Sequence, residues 1–207
     1  INTKELIEKA NLLMKQWEEK SEYGTHVHNV KEAIDWSRGF TIHNGSRVPL
    51  LKPPGPYEGY DNRNSPEMFY IDRLGYYPEF IAYDLENEVA GQIDRLIIDP
   101  PYFDIDDWKT DGQIKKEGFM GASMEYPVSH IGDSNYFKYS IKLSMYAYMV
   151  EKMTGLVPRD LFFTHLVMEE ESDPNNLKYN ILEEVRYDVM YRKWEVENMI
   201  ESQKVKC

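Results

Sequence analysis

Cysteine is almost absent from this sequence, which has Cys207 alone. One cysteine cannot form a disulfide within the chain, and it excludes a four-cysteine zinc or iron–sulfur site. A reducing compartment such as the cytoplasm is therefore the default expectation. No stretch reaches the roughly 18 consecutive apolar residues that a membrane span needs. The sequence therefore predicts no membrane segment.

The beginning of the chain lacks the features of a signal peptide, because INTKELIEKA is charged and amphipathic. It also lacks an initiating methionine, so we expect that the chain was trimmed or excised from a longer one. Basic residues are few: 24 Lys and Arg stand against 36 Asp and Glu, for a formal net charge of −12. That balance argues against a protein that coats nucleic acid, which should be basic. It permits an enzyme that contacts nucleic acid locally.

The acidic excess is concentrated in one segment. Residues 84–111 contain nine acidic and two basic residues, which is more than half of the net charge. The rest of the composition is ordinary for a folded protein, since 42% of the residues are hydrophobic and 14% are aromatic. A chain of 207 residues has room for one large domain with its own core. The acidic segment therefore needs a separate explanation.

Hydrophobic periodicity predicts an α/β order for the chain. The predicted helices cover residues 2–22, a segment that starts near Thr25, 135–154 and 187–203. The predicted strands cover 79–83, 88–98, 102–110 and 161–168, with an added edge strand at 119–127. Residues 39–66 contain HNG and KPPGP, which predict a long irregular surface excursion. We expect one domain in which a mixed central sheet is flanked by helices.

Two of the predicted strands bring acidic residues together. Side chains alternate along a strand, so Asp107 and Lys109 should point to the same face. The preceding strand adds Asp94 within GQIDRL. Two carboxylates at close range repel each other, and a hard divalent cation removes that cost. The pattern predicts a Mg²⁺ or Mn²⁺ site for phosphodiester hydrolysis, with the lysine beside the attacking water.

The segment from PEFIAY to DIDDWKT resembles the core of the PD-(D/E)XK nuclease superfamily, in its RecB-like exonuclease branch. The first part of that motif is matched by Gly91, Asp94 and Arg95, and the second part by Asp107, Trp108, Lys109 and Thr110. Upstream, Gly24, Thr25, His28 and Glu32 resemble a family helix whose histidine binds metal. Glu79 resembles an acidic residue that often precedes the first motif strand.

Downstream, KYSIKLSMYAYMVE resembles the family's QxxxY helix, with its tyrosine at Tyr146. The glutamine of that motif is replaced by Lys142, which departs from the pattern but remains able to reach a phosphate. The resemblance covers roughly residues 24–150. It implies a restriction-endonuclease-like core over about 24–168, with the helices 2–22 and 187–203 packed on it.

The resemblance also implies a function. It implies a DNA exonuclease of replication, recombination or repair that acts on single strands or DNA ends, in a bacterial or phage-infected cytoplasm. Its metal ligands would be His28, Asp94, Asp107 and the main-chain carbonyl of Trp108. Catalytic roles would fall on those two aspartates with Lys109, Glu79 and Tyr146, and weaker substrate contacts on Lys142 and Arg95. With one cysteine the chain cannot hold the iron–sulfur cluster of some members.

Several alternatives remain open at this stage. Asp104 and Asp106 favour a solvated charge run on an edge strand, which protects against aggregation. Arg95 fits a surface ion pair with Asp94, and Tyr146 fits a core position nearly as well as a substrate contact. At the level of function, the alternatives are a catalytically silent scaffold that binds a helicase or replication partner, and an RNA-directed hydrolase. A single-strand-binding protein is a further candidate partner.

Overall fold

The computed structural model describes residues 24–51, 70–169 and 181–204. The strands in these ranges are β1 (Phe40–His43), β2 (Ser46–Pro49), β3 (Gly75–Asp84), β4 (Val89–Asp99), β5 (Tyr102–Lys109), β6 (Val157–Met168) and β7 (Ile181–Val189). The helices are α1 over residues 24–38, α2 (Asn135–Thr154) and α3 (Lys193–Lys204). In these described ranges no helix is both long enough and apolar enough to cross a membrane.

Five strands form one mixed sheet in the order β3–β4–β5–β6–β7, and β1 pairs with β2 in a separate hairpin. The first three strands of the sheet are an antiparallel meander, as the sequence predicted. Strand β5 then pairs in parallel with β6, and β7 returns antiparallel to β6. Helix α2 connects the two parallel strands, which need a crossover of this kind. The architecture is therefore α/β with a mixed central sheet flanked by helices.

The two faces of β5 meet different helices. On one face Phe103 and Ile105 belong to the main core, which Leu143 and Met149 of α2 complete. On the other face Trp108 packs with Val27 of α1 and with β6 in a smaller apolar cluster. Period-two alternation along the strand explains this division. Each of the two helices thus holds one side of the strand that carries the predicted motif.

Helix α2 has the limits that its sequence predicted. It runs over Asn135–Thr154, and Gly155 ends it in the left-handed conformation with φ 71°. The N-cap is Ser134, and its hydroxyl accepts a hydrogen bond from the Phe137 amide. The same helix contacts α3, so the C-terminal part of the described chain packs on it.

The excursion predicted over residues 39–66 is wrong in its first part. Residues 40–49 form the β1–β2 hairpin, whose turn consists of Asn44 and Gly45 with φ of 46° and 76°. Two left-handed residues make the turn type that matches strand twist. Val48 of this hairpin packs against Tyr76 and Ile97, so the hairpin covers the sheet on the face of Trp108.

Three other element predictions differ from the structure. The edge strand expected at 119–127 is a short 3-10 turn at Phe119–Gly121 in an exposed loop. Strand β7 (Ile181–Val189) was not predicted, and its last residues overlap the helix that we expected over 187–203. That helix begins at Lys193 instead. The predicted helix over 2–22 lies outside the described residues.

Candidate metal and phosphodiester site

The candidate site lies where β4 and β5 stop pairing through their backbones. Their register runs from Asp99 opposite Tyr102 to Arg95 opposite Asp106. Beyond this point the Trp108 amide donates a 2.7 Å hydrogen bond to the carboxylate of Asp94. A side chain thereby replaces the backbone acceptor, and the Asp94 carboxylate is fixed beside the end of β5.

Helix α1 adds His28 to the same carboxylate. Its Nδ1 lies 3.3 Å from Oδ2 of Asp94, and its ring stands edge-on to Trp108 with 5.9 Å between the ring centroids. The helix is anchored one residue earlier by Val27, which is fully buried. His28 and Asp94 therefore lie side by side in the structure.

Strand β5 contributes Asp107 and Lys109 to one face, as alternation predicted. The Lys109 ammonium donates to Oδ2 of Asp107, and it also donates a 2.9 Å hydrogen bond to the Trp108 carbonyl. From α2, the Lys142 ammonium lies 3.4 Å from the other carboxylate oxygen of Asp107. Both oxygens of this buried carboxylate thus face an ammonium group.

Glu79 lies where the regular alternation of side chains along β3 is interrupted. Tyr77 and Phe80 both pack into the main core although three positions separate them, and a regular strand would put them on opposite faces. Glu79 between them has φ 49°, a left-handed value that is uncommon for a residue with a side chain. Its carboxylate accepts a 2.6 Å hydrogen bond from the Gln92 amide group.

Tyr146 of α2 lies against β4 at a glycine. A Cβ atom on Gly91 would stand 2.4 Å from Cε1 of the Tyr146 ring, so only glycine permits this close approach. The ring is 8% exposed, and the Lys142 ammonium lies 5.2 Å from its centroid. Tyr146 therefore belongs to the main core and also lines the cavity of the candidate site, while its predicted substrate contact stays a prediction.

These side chains surround a cavity of about 460 Å³. Its lining includes His28 and Asp94, which are two of the predicted metal ligands, together with Glu79 of β3 and with Lys142 and Tyr146 of α2. Asp107 and Lys109 connect to it through the contact between Asp107 and Lys142. All of the predicted site residues except Arg95 thus meet at one end of the sheet.

The charges in this cluster shift the pKa values of its members. Burial, followed by the negative charges of Asp94 and Glu32, raises the pKa of Glu79 to about 7. Burial also opposes ionisation of Asp94, but the hydrogen bond and charge of His28 and the charge of Lys109 hold its pKa below the usual value. Burial and the nearby Lys142 charge lower the pKa of Lys109 to about 8.

The donor set fits a hard divalent cation. An imidazole nitrogen, carboxylate oxygens and a main-chain carbonyl are ligands that Mg²⁺ and Mn²⁺ accept. The charges also favour a cation, because burial and then the acidic neighbours raise the pKa of Glu79, and a cation beside it would lower that pKa again. In the described structure, however, the Lys109 ammonium contacts both Asp107 and the Trp108 carbonyl. A cation there would have to share these two oxygens with Lys109.

A second group of possible ligands lies elsewhere, at the β1–β2 hairpin. Ligand atoms of His43, Asp104 and Asp160 all lie within 4.8 Å of one another, a condition that the described positions of His28, Asp94 and Asp107 do not meet. Arg159 donates to both carboxylate oxygens of Asp104, at 3.0 and 2.6 Å, and His43 lies 2.7 Å from one of them. A guanidinium on the same oxygens neutralises the charge that a cation would need. Sequence reasoning missed this cluster, because it joins three distant segments.

The solvated charge run predicted for Asp104 and Asp106 is wrong. Both side chains are fully buried, because β5 is a central strand with β6 on its second edge. Asp106 pairs with the Arg95 guanidinium and accepts a 2.9 Å hydrogen bond from Thr164. Arg95 is therefore neither a surface partner of Asp94 nor near Lys142, and its predicted substrate contact receives no support from its position.

Two residues near the site were not predicted from the sequence. Gln92 holds Glu79, and Tyr139 places its ring centroid 5.0 Å from the Lys109 ammonium while its hydroxyl donates to Asp111. Tyr139, Lys142 and Tyr146 follow one another at helical spacings of three and four. That spacing was the available signal, because it puts all three on one face of α2.

Comparisons with protein-family models, with curated proteins and with solved structures give no significant match. The family resemblance therefore stays a prediction, and the function has to be argued from the site.

Proposed function

We propose that the protein is a divalent-metal-dependent nuclease of the PD-(D/E)XK type, which hydrolyses phosphodiester bonds in DNA as an exonuclease on single strands or ends. One observation carries the proposal. His28, Asp94, Asp107 and Lys109 come from three separate elements and converge at the end of the β4–β5 ladder. The choice of exonuclease, and of DNA, is based on the family resemblance.

The metal ligands in this proposal are His28, Asp94, Asp107 and the carbonyl of Trp108. When bound, Mg²⁺ or Mn²⁺ would acidify a water molecule and polarise a phosphate oxygen. The chain orients this site with its own contacts: the Trp108 amide fixes Asp94, and edge-on packing against Trp108 fixes the His28 ring. Such contacts behind the ligands hold them in a defined geometry.

Lys109 has the role of placing the attacking water in this proposal. Its side chain is 11% exposed, and its ammonium contacts the Asp107 carboxylate, the Trp108 carbonyl and the Tyr139 ring. A lysine confined in this way can direct a water molecule toward a phosphate held at the cavity. Glu79 and Tyr146 line the cavity at which that phosphate would be held.

The test uses labelled single-stranded and double-stranded DNA, with a matched RNA strand, in Mn²⁺. We expect cleavage by the native chain and a loss of about 10²-fold or more in Asp94→Asn and in Lys109→Met. Asp188→Asn is the matched control, because this residue lies on β7 and pairs only with Arg186 among the described residues. Cleavage that survives both site substitutions would contradict the assignment, and cleavage of RNA alone would move the substrate to RNA.

A catalytically silent scaffold for a helicase or a single-strand-binding protein is the second candidate. The observation that favours it is the contact of both Asp107 oxygens with lysines, which compete with a cation. Titration calorimetry with Mn²⁺ distinguishes the two. Heat of binding that disappears in Asp107→Asn supports the nuclease, and no binding at millimolar Mn²⁺ supports the scaffold.

A further inference from the structure

The β1–β2 hairpin has one buried face and one exposed face. Alternation along its strands buries Thr41, His43 and Val48 against the sheet. Ile42 and Arg47 stand opposite each other on the two strands and point the other way, where both are exposed. The hairpin therefore presents a ribbon to solvent on the side away from the sheet.

Two arginines of this region lack an acidic partner. Arg47 lies on the exposed face, and Arg38 lies just before β1 at the end of α1. Neither guanidinium has a carboxylate within 4.0 Å in the part of the chain that the structure describes, although every other described arginine has one: Arg73, Arg95, Arg159, Arg186 and Arg192. In a chain with a net charge of −12, this pair needs an explanation.

The ring of Phe40 supports Arg47. The guanidinium carbon lies 4.2 Å from the centroid of that ring. A planar guanidinium that stacks on an aromatic ring keeps the N–H donors at its edge available for a ligand. The Arg47 side chain is therefore held in place without using its hydrogen bonds. We call Arg38, Phe40, Ile42 and Arg47 the hairpin surface.

Acidic residues beside the hairpin have partners of their own. Asp104 and Asp160 adjoin its inner side, and each of them pairs with an arginine. Asp35 is buried beneath the end of α1 and accepts a 2.8 Å hydrogen bond from the Tyr76 hydroxyl. Residues 36–51 themselves contain no acidic side chain. The hairpin surface therefore carries two positive charges, and its own segment supplies no negative one.

Helix α1 connects this surface to the candidate site. Its first part lines the cavity with Gly24 and His28, and its last residue is Arg38. A rise of about 1.5 Å per residue puts about 15 Å between His28 and Arg38 along the helix. Phosphates follow one another about every 3.4 Å along each strand of a duplex. A strand that leaves the cavity along α1 therefore reaches the hairpin surface within several nucleotides.

We propose that the hairpin surface is a second nucleic-acid contact, where Arg38 and Arg47 bind backbone phosphates of the substrate several nucleotides from the bond that is cleaved. The choice of nucleic acid as the partner rests on the proposed function, and the surface adds to it a preference for long strands over short ones. Guanidinium groups suit phosphate oxygens, which they contact through two parallel hydrogen bonds. The contact is independent of base identity, because phosphates carry no sequence information directly.

The first experiment compares the native chain with the double variant Arg38→Gln, Arg47→Gln. It measures the affinity for a fluorescent single strand long enough to span both sites, in Ca²⁺ and at several salt concentrations. We expect the affinity of the variant to fall about tenfold or more. The slope of log affinity against log salt should fall by about 1.4, since each phosphate contact on a single strand accounts for about 0.7.

Cleavage in Mn²⁺ gives the second readout. The double variant should have a raised KM for the long strand, and its loss in kcat/KM should be far larger for that strand than for a dinucleotide, which is too short to reach the hairpin. Arg38→Lys with Arg47→Lys should keep the native salt slope, because both charges stay. It should lose part of the affinity, because an ammonium group lacks the paired donors of a guanidinium.

Arg73→Gln with Lys204→Gln is the matched control, because it removes the same two charges elsewhere. Arg73 also lies over a ring, 4.3 Å from the centroid of Tyr70, but it pairs with Asp72, and Lys204 pairs with Glu201. This variant should keep the native affinity and salt slope.

The inference is overturned if the double variant at the hairpin matches this control in affinity and salt slope, or if the native chain binds no strand. Binding to vesicles of anionic lipid that requires both arginines, together with unchanged binding to nucleic acid, would also overturn it and assign the surface to a membrane. A native chain that binds the strand through these arginines without cleaving it contradicts the proposed nuclease and supports the hairpin contact.

Discussion

Asp106 and Asp107 are neighbours in sequence that serve opposite sides of β5. Asp106 points toward the hairpin side, where Arg95 and Thr164 take its oxygens. Asp107 points toward α2, where the two lysines lie. The acidic residues of β5 are therefore divided between the two faces of the sheet, and each face requires a different experiment.

The first prediction concerns the Arg95–Asp106 pair. Arg95→Met leaves a fully buried carboxylate without its guanidinium, so we expect a loss of about 3–5 kcal/mol in the free energy of unfolding. The double substitution Arg95→Met with Asp106→Leu should recover most of that loss, because no charge stays buried. Urea unfolding of the three chains gives the comparison. A stable Arg95→Met chain that has lost DNA affinity would instead support the substrate contact suggested by the sequence.

The second prediction concerns the pH dependence of stability. Burial opposes the charge of Asp104, but hydrogen bonds from His43, Arg159 and the Asp160 amide lower its pKa to about 2. Because this value is below that of the unfolded chain, the stabilisation is complete above about pH 4. It should be lost as the pH falls toward 2, by about 2 kcal/mol.

The measurement is urea unfolding of the native chain and of Asp104→Asn between pH 2 and pH 6. The difference between the two free energies should shrink steadily below pH 4, since protonation removes the charge that the substitution removes. A difference that is constant over this range would mean that Asp104 does not titrate with the shifted pKa.

At the scale of elements, the position of α2 against the sheet depends on the absence of a side chain at Gly91. It approaches β4 through the contact of Tyr146 with Gly91, where an added Cβ would be 2.4 Å from the ring. In Gly91→Ala we expect the ring and the helix turn that bears Lys142 to move. Stability should fall by about 1–3 kcal/mol, as in other overpacked cores, and activity per folded molecule should fall as well.

Gly112→Ala is the control for this substitution, because its Cβ would meet no atom within 4 Å. Thermal unfolding and DNA cleavage of the two variants give the comparison. Equal behaviour of both variants would show that the helix tolerates displacement from β4. The site would then not depend on this close approach.

The elements that the sequence predicted are those whose signal is local. Helix α2 has its own cap, stop and apolar positions, and the meander has its turns at 85–88 and at Pro100 and Pro101. Strand β7 was missed because only Val189 among its nine residues is buried, so it has no apolar face to recognise. Strand β5 was assigned to an edge because its second neighbour, β6, follows far along the chain.

The candidate site was likewise predicted only where its residues belong to a local sequence motif. The spacing of Asp94, Asp107 and Lys109 identified one end of the β4–β5 pair, and helix α1 supplied His28 through its motif. Gln92 and Tyr139 were invisible because their roles arise from packing between elements. The His43 cluster was invisible for the same reason, since the hairpin meets β5 and β6 only in the folded chain.

At the scale of the whole molecule, a cation that binds only the folded chain must stabilise it. At a concentration 100 times its dissociation constant, the gain in free energy of unfolding is about 2.7 kcal/mol. We expect Mn²⁺ to raise the melting temperature of the native chain. The two candidate clusters separate in this measurement: His28→Gln should lose the shift, and His43→Gln should retain it.

A reversed result, with the shift lost in His43→Gln and kept in His28→Gln, would assign the cation to the cluster at the hairpin. Magnesium and calcium titrations under the same conditions then compare cation preference at whichever cluster binds.

The parallel pairing of β5 with β6 has a consequence for the newly made chain. Protein chains are synthesised from the N-terminus, so β3, β4 and β5 emerge before α2 and before the second neighbour of β5. Until that later segment arrives, Asp107 lacks Lys142, Gly91 lacks the ring that covers it, and one edge of β5 has no partner. A chain still on the ribosome would thus carry the acidic residues of β4 and β5 without Lys142 and Tyr146, and would acquire these two side chains only when α2 has been made.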